Sequence, residues 1–586
     1  MAQKSFFPKR LPSAILGLGL LLLASVRIVL TYRVFTQTVD EPAHIAAGME
    51  WLDLGSYLFE PLHPPLARVA SALGPFLEGV RLPATQRLLL TDLRASGALR
   101  NRYGVHEVYD NLYLSTVYPT MWNAGNEILH SGGRYWHHLS LARLGILPFF
   151  LLASCVVWFW ARRLFGNCAA MVSLLLFTSL PPVLAHGGLA TTDMALTASL
   201  AAACLVFSLW LERPTPGRSA LVGVAAGMTL LSKLSAVLFL PMSALAILVV
   251  RASLPRPPLS WAGVRRGVSL LILAAGGAFL VLWAGYRFSL APLAPISQRP
   301  HAPVDSLLGS TGTLHDLAYS IVEAPVWPAV EILDGLDQLW SLDASQLTSR
   351  SLDRSDPLRW LYFFPLAIVL KTPLAFLVLC IAGLAGAAVR SPRPKSWQAL
   401  VPGAVAGAIL LAAMASRFNI GLRHVLPIYP SLAILGGYGA SRLWNLRSGG
   451  PVGRVVVVAL LGWQVFSSLA AHPDYLPYFN ELASPELERK LVGSDLDWGQ
   501  DLARLADELR RRDVDSISIA YFGSADLAQH GLPAYRILSE GLETDGWVAI
   551  SMALLVTKEG YHWLESFQPV SIVGKSIVLY HIEGSH

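Results

Sequence analysis

Apolar runs alternate with short polar stretches along most of the chain, and many of the runs approach the ~20 residues that a helix needs to cross a bilayer. The candidate spans are residues 11–30, 139–160, 168–185, 190–211, 267–286, 362–388, 400–416, 425–443 and 455–470. The stretch 220–250 is long for one span and short for two, and it carries Lys233 near its middle. Taken as a tight hairpin of two short helices, it brings the total to about eleven crossings. Between the first two spans the period becomes that of shorter helices. One is predicted over residues 42–54, with Asp40 or Glu41 at the N-cap, Pro42 near N1 and Gly55 at the stop. Pro65 opens another, with Leu66, Val69, Ala70 and Leu73 on an apolar face suited to the membrane plane. After the last span, a helix running to about Arg512 turns Leu502, Leu505 and Leu509 inward. Strand-like runs follow at 516–522, 547–555 and 575–582, a pattern that suggests a small α/β domain.

Composition agrees with this pattern. Hydrophobic residues make up 54% of the chain and charged residues 14%, against ~25% charge in soluble domains; the mean hydropathy is +0.49. The expected class is a polytopic α-helical membrane protein. The first apolar run is long enough to span and lacks a clear small-residue cleavage site, so it is expected to stay as an anchor. Cys155, Cys168, Cys204 and Cys380 all fall in or at the ends of spans and read as small core residues. The pairs Gly223/Gly227 and Gly383/Gly386 suit close helix packing.

Charge sets the topology. With the hairpin in place, one set of short loops collects Lys4, Lys9, Arg10, Arg162, Arg163, Arg213, Arg218, Arg251, Arg256, Arg265, Arg266, Arg390, Arg393, Lys395, Arg442, Arg447 and Arg454. The opposite short loops hold only Lys233, Arg417 and Arg423. The positive-inside rule makes the first set cytoplasmic; a single crossing at 220–250 would invert the later Arg-rich loops. Residues 1–471 then form a transmembrane domain with outer loops at about 32–138 and 287–360, and 472–586 form an extracytoplasmic domain. That tail has a formal charge of −9 although the whole chain is +6. The basic surplus thus belongs to membrane topology, and no nucleic-acid partner is expected.

The candidate chemistry lies on the outer side. Asp40 and Glu41 are adjacent, so they point in different directions, and one can cap the helix while the other faces a cavity. His63 and Arg68 flank the first turn of the Pro65 helix, where backbone N–H groups favour an anion, although an interfacial helix with a snorkelling Arg accounts for the same pattern. Asp193 follows Thr191-Thr192, either of which is an equally good cap, and an acid at the edge of hydrocarbon is costly unless it faces a wet cavity. Lys233, Lys371, Arg417, Arg423 and His424 all fall at outer ends of spans, where snorkelling to headgroups is the alternative reading. Acids and bases gathered at one membrane face suggest an anionic lipid ligand with a general base beside it.

Asp40-Glu41, the His63-Pro64-Pro65-Leu66 string, Thr192-Asp193 and the run from Arg423-His424 to Tyr429-Pro430 resemble the C-type glycosyltransferases. The branch that looks nearest comprises the dolichyl-phosphate-mannose protein mannosyltransferases and their bacterial relatives, including the lipid A aminoarabinose transferases; the resemblance covers roughly residues 10–470. It implies a polyprenyl-phosphate sugar donor and inverting transfer of a hexose or pentose to an acceptor hydroxyl outside the cytoplasmic (inner) membrane. By that resemblance Asp40 would be the general base, Glu41 would position the acceptor or the base, and Asp193 would line the cavity. The donor phosphate would be held by His63 or Arg68, Lys233 and Arg423. The acceptor would be a protein, lipid or glycan. No cofactor is expected beyond the lipid-linked donor as substrate, and no metal ligand set is picked out. The chain departs from the aminoarabinose branch at His63, where that branch tends to carry Lys, so a phosphate contact there would depend on protonation.

In the tail, the Gly493-Ser494-Asp495-Leu496-Asp497-Trp498-Gly499-Gln500-Asp501 segment lacks the remaining positions of an EF-hand, and helix capping by Asp497 or Asp501 explains its acids as well as calcium does. This tail resembles those of uncharacterised bacterial members of the family, in which it would grip the acceptor. The outer loop 287–360, with Trp327, Trp340 and Trp360, reads as a lid or as aromatic anchoring at the headgroups. The competing class is a membrane transporter or lipid flippase using the acids for ion coupling. Against it, no inverted repeat is evident and the polar residues collect at one face instead of the midplane.

Overall fold

The computed structural model describes residues 10–96, 118–253, 261–294, 299–344, 359–388, 397–416, 420–445 and 450–583. Among these, six helices are long and apolar enough to cross a membrane: Ser13–Thr31, Tyr135–Phe165, Asp193–Glu212, Arg265–Gly285, Trp397–Ala415 and Pro451–Ala470. Their burial varies widely. The most apolar window of Arg265–Gly285 is 11% buried and that of Asp193–Glu212 is 72% buried, so the first faces outward while the second forms the middle of the bundle. The four cysteines are free.

Two expected spans are broken. Residues 168–185 divide into Asn167–Thr178 and Pro181–Gly187, bent by 65°, and 362–388 divides at Thr372-Pro373 with a bend of 115°. Proline causes both breaks, since it lacks an N–H and its ring collides with the preceding turn. Backbone groups freed in this way need partners when no water is near. At the second break, Asn480 supplies them: its Nδ2 donates to the carbonyls of Val369 (2.5 Å) and Thr372 (2.7 Å), and its backbone N–H donates to Leu370 (2.9 Å).

The stretch 220–250 is two helices, Pro216–Leu230 and Ala236–Ala252. The ends away from the turn lie together. Arg218 is 3.9 Å from Glu212, which also takes Arg163 (2.5 Å) and Gln398, while Arg251 stacks over Trp397 at 5.6 Å. The turn between them puts Lys233 at the other end of the bundle, on Asp193. The glycine pairs serve the expected packing. A Cβ on Gly223 would stand 2.5 Å from the Ala274 carbonyl, and one on Gly383 would stand 2.1 Å from that of Leu435.

Glu41–Leu54, Pro65–Leu77 and Tyr118–His130 form a layer at the Lys233 end of the bundle. Gly48 lets the first two meet, since a Cβ there would lie 2.1 Å from the Arg68 carbonyl. In Pro65–Leu77 the buried residues are Pro65, Ala67, Arg68, Ser71, Ala72 and Pro75, and the predicted apolar face is the more open one, with Leu73 exposed. The tail folds around a five-stranded sheet in the order Ala534–Ile537, Ser516–Ala520, Gly546–Ser551, Ile577–Ile582, Ser571–Val573. The first two pairings are parallel and the last two antiparallel. Leu502, Leu505 and Leu509 of the Leu502–Arg511 helix pack on it against Ile517, Ile519 and Leu579.

Candidate active site

Glu41 anchors the site. It is fully buried, and Arg143, from the helix Tyr135–Leu144, meets it side-on, Nε to Oε1 and Nη2 to Oε2, each at 2.8 Å. The backbone N–H groups of Ala190 and Thr38 donate to the same carboxylate at 2.8 Å. Burial pushes the Glu41 carboxyl up, and the Arg143 charge with these hydrogen bonds more than reverses that, leaving it below the usual carboxylate range. Arg143 spends its other N–H groups on the carbonyls of Tyr32, Phe35 and Thr36, each at 2.9 Å, so all five donors are used. The chain entering Asp40 is thereby clamped. Asp40 sits at the N-cap without capping: its side chain makes no bond to the first turn.

The Asp40 carboxylate turns instead to Arg423, Nη1 to Oδ2 at 2.5 Å. Arg423 is the second residue of the turn Leu422–Ile428, which follows Gly421, whose φ of +83° and close approach to Asp495 exclude a larger residue. Its guanidinium lies 4.3 Å above the Trp498 ring. Asp193 opens the Asp193–Glu212 helix with its side chain buried and its Oδ1 2.6 Å from Lys233 Nζ; its Oδ2 has no hydrogen-bond partner among the described residues. Arg423 feels the charges of both Asp40 and Asp193, so the two acids and two cations form one cluster. His186 and His424 border it.

A second group adjoins Asp40 through His44, one turn along the helix. Glu60 receives His63 Nδ1 at 2.6 Å and lies 3.7 Å from His44 Nδ1 and 3.5 Å from Arg68 Nη1, which also donates to the Glu60 carbonyl at 2.8 Å. Burial, aided by the His63 charge, lowers His44 to about 4. Burial would raise Glu60, but the charge and hydrogen bond of His63, with His44 and Arg68, hold it at about 2. The ligand atoms of His44, Glu60 and His63 stand within 4.8 Å of one another, close enough to share a divalent cation. Among the described residues this is the group with that geometry, although the His63 hydrogen bond and Arg68 satisfy the Glu60 carboxylate without one.

Of the residues expected from sequence, Asp40, Glu41, Asp193, Lys233 and Arg423 converge directly, and His63 and Arg68 join through Glu60 and His44. Arg417 lies outside the described residues. Lys371 neither snorkels nor faces the acids: its Nζ donates to the carbonyls of Asp495 and Leu476 (2.7 Å) and stands 4.2 Å over Phe479. Arg143, Glu60, His44 and Trp498 were not singled out. Only Trp498, inside a dense Asp/Gly segment, carried a local signal. A cleft of ≈ 970 Å³ opens between residues 130–137 and the tail helix Leu502–Arg511. Its wall includes Tyr135, whose hydroxyl meets Gln37, three residues before Asp40.

Residues 140–275 match the family described as dolichyl-phosphate-mannose-protein mannosyltransferase. No curated protein matches the chain. Among solved structures, the S. cerevisiae protein O-mannosyltransferase Pmt1-Pmt2 complex bound to the sugar donor aligns with a TM-score of 0.53 at 10% identity, over 90% of this chain and 94% of that one. ArnT from Cupriavidus metallidurans bound to undecaprenyl phosphate aligns with a TM-score of 0.47 at 14% identity, over 96% and 97%. The Archaeoglobus fulgidus oligosaccharyltransferase AglB, in complex with an inhibitory peptide and a dolichol-phosphate, aligns with a TM-score of 0.42 at 12% identity, over 97% and 74%. The chain therefore has the membrane fold of the C-type glycosyltransferases, and its residues 140–275 carry the sequence signature of their dolichyl-phosphate-mannose-protein mannosyltransferase family.

Proposed function

We propose that this protein is an integral membrane glycosyltransferase that moves a sugar from a polyprenyl-phosphate donor to an acceptor hydroxyl on the extracytoplasmic face of the cell membrane, with inversion. Asp40 is the general base. It takes the hydroxyl proton as the acceptor oxygen bonds to the anomeric carbon and the bond from that carbon to the phosphate oxygen breaks. The electron pair leaves with the polyprenyl phosphate, whose charge Arg423, Lys233 and His63 stabilise. Arg68, buried against Glu60, steadies His63. Glu41 positions the base, since its lone pairs are engaged by Arg143, Thr38 and Ala190. Asp193, buried beneath the reacting groups, holds Lys233 in place.

The observation that carries this reading is a contrast among three converging carboxylates. The Asp40 side chain is 26% exposed, whereas those of Glu41 and Asp193 are 0% and 1% exposed, so one acid has access to a substrate and two do not. The Pmt1-Pmt2 complex, which shares the fold, was solved with a sugar donor. Asp40→Asn tests the reading in proteoliposomes supplied with polyprenyl-phosphate sugar. Transfer should fall by at least about 100-fold while the protein stays folded, because Asn keeps the shape of the side chain and an oxygen that can accept from Arg423. Undiminished transfer would sink the mechanism, and substrate-driven proton flux would favour a transporter.

A further inference from the structure

The tail segment 493–501 is wedged between the two stretches of chain that carry the reacting charges. On the Asp40 side, Thr36 N–H donates to the Gln500 carbonyl (2.9 Å), Val39 N–H donates to the Trp498 carbonyl (3.0 Å), and Leu502 N–H donates to Thr36 Oγ1 (3.3 Å). On the Arg423 side, Leu422 N–H donates to both Asp495 oxygens (3.0 and 3.1 Å), and Ser494 Oγ donates to the Ile420 carbonyl (2.6 Å). Lys371 ties the same segment to the broken span through the Asp495 carbonyl. In the middle, Trp498 is 3% exposed and presents its ring to Arg423.

We infer that Trp498 is a positioning residue of the transfer site, its ring holding the Arg423 guanidinium where it meets both Asp40 and the donor phosphate. Other contacts leave Arg423 loosely fixed. Among the described residues its hydrogen-bond acceptors are one carboxylate and the carbonyl of Ile420 (3.1 Å), the latter three residues back in its own chain. When a phosphate draws the guanidinium away from Asp40, the ring face is the contact that need not be given up, because a cation over an aromatic ring still has its N–H edges free for an anion. The tail is on this account part of the donor site instead of an appended acceptor grip. The inference rests on the reading of Arg423 as a phosphate ligand.

The test uses the full-length protein in lipid nanodiscs and undecaprenyl phosphate without sugar as the probe. Trp498→Leu should weaken binding about 5- to 30-fold, and Trp498→Phe, which also leaves a void but keeps a ring face, should stay within about 3-fold of wild type. Site-specific mono-, di- and trifluorotryptophan at 498 preserve shape while draining the ring face, so affinity should fall stepwise with melting temperature unchanged. That series also decides the matter should Trp498→Leu fail to fold. Flat affinity across the fluorinated series, or equal losses for Leu and Phe, would overturn the inference and leave Trp498 as packing. A wild-type protein that ignores the lipid phosphate would instead bring down the reading of the transfer site, and the inference with it.

Discussion

Replacing Arg143 with Lys keeps the charge and changes the number of donors, which makes it a sharp probe of how Asp40 is held. Arg143 fills five acceptor positions: both oxygens of Glu41 and the carbonyls of Tyr32, Phe35 and Thr36. An ammonium has three donors, so at least two buried acceptors lose their partner, at about 1–3 kcal/mol each. The expected destabilisation is about 2–6 kcal/mol, comparable to the ~3–5 kcal/mol for breaking a buried ion pair. The rate should suffer as well. The released carbonyls belong to the chain that delivers Asp40, and a shift of ~1 Å in a reacting group can cost ~100-fold. Thermal unfolding in detergent and sugar transfer in proteoliposomes would be measured on Arg143→Lys beside Arg510→Lys, whose partner Asp507 is exposed and whose loss should cost under ~1 kcal/mol. Two variants with the same melting temperature and wild-type rate would refute the clamp.

The Asp193–Lys233 pair should behave as a unit: Lys233→Met leaves a buried carboxylate unpaired and should lower stability by about 3–5 kcal/mol, while Lys233→Met with Asp193→Asn should recover most of that and none of the activity, as read by melting curves and transfer rates. The tail should lose stability on the alkaline side. Burial raises Asp497 to about 7, so the folded form holds a proton that the unfolded chain has released; its contribution is fully present below ~4 and is lost as pH rises through about 7. Comparing melting temperatures at pH 5 and pH 8 for wild type and for Asp497→Asn, which cannot ionise, checks this: the drop should shrink in the variant, and an unchanged drop would assign it elsewhere.

What could be read from the sequence was what a single segment can signal. Apolar runs gave the spans, and the sorting of arginines gave the hairpin whose turn brings Lys233 to Asp193. The paired acids, the His-Pro-Pro string and Arg423 were visible as polar residues out of place near hydrocarbon. Their partners were hidden. Arg143 looks like one more cation at the end of an apolar helix, and nothing local says that it meets a glutamate 102 positions earlier. Glu60 and His44 sit in ordinary polar stretches, and their significance comes only from helix packing through Gly48. Lys371 was seen but its role was not, because the two carbonyls that receive it lie more than a hundred residues away in the tail.

The broken span at Thr372-Pro373 carries a timing requirement. Its loose carbonyls are closed by Asn480, which follows Val369 by 111 residues. At synthesis rates of ~5–20 residues per second, that interval lasts roughly 5–20 s. Until then the bend must keep its backbone in water or borrow another partner, since lipid offers none. The seam is therefore finished by a residue made only after the last span, Pro451–Ala470, has been synthesised. A chain terminated just before residue 480 would lose more than a soluble appendage: it would leave an unsealed break among its helices, where membrane quality control would be expected to find it.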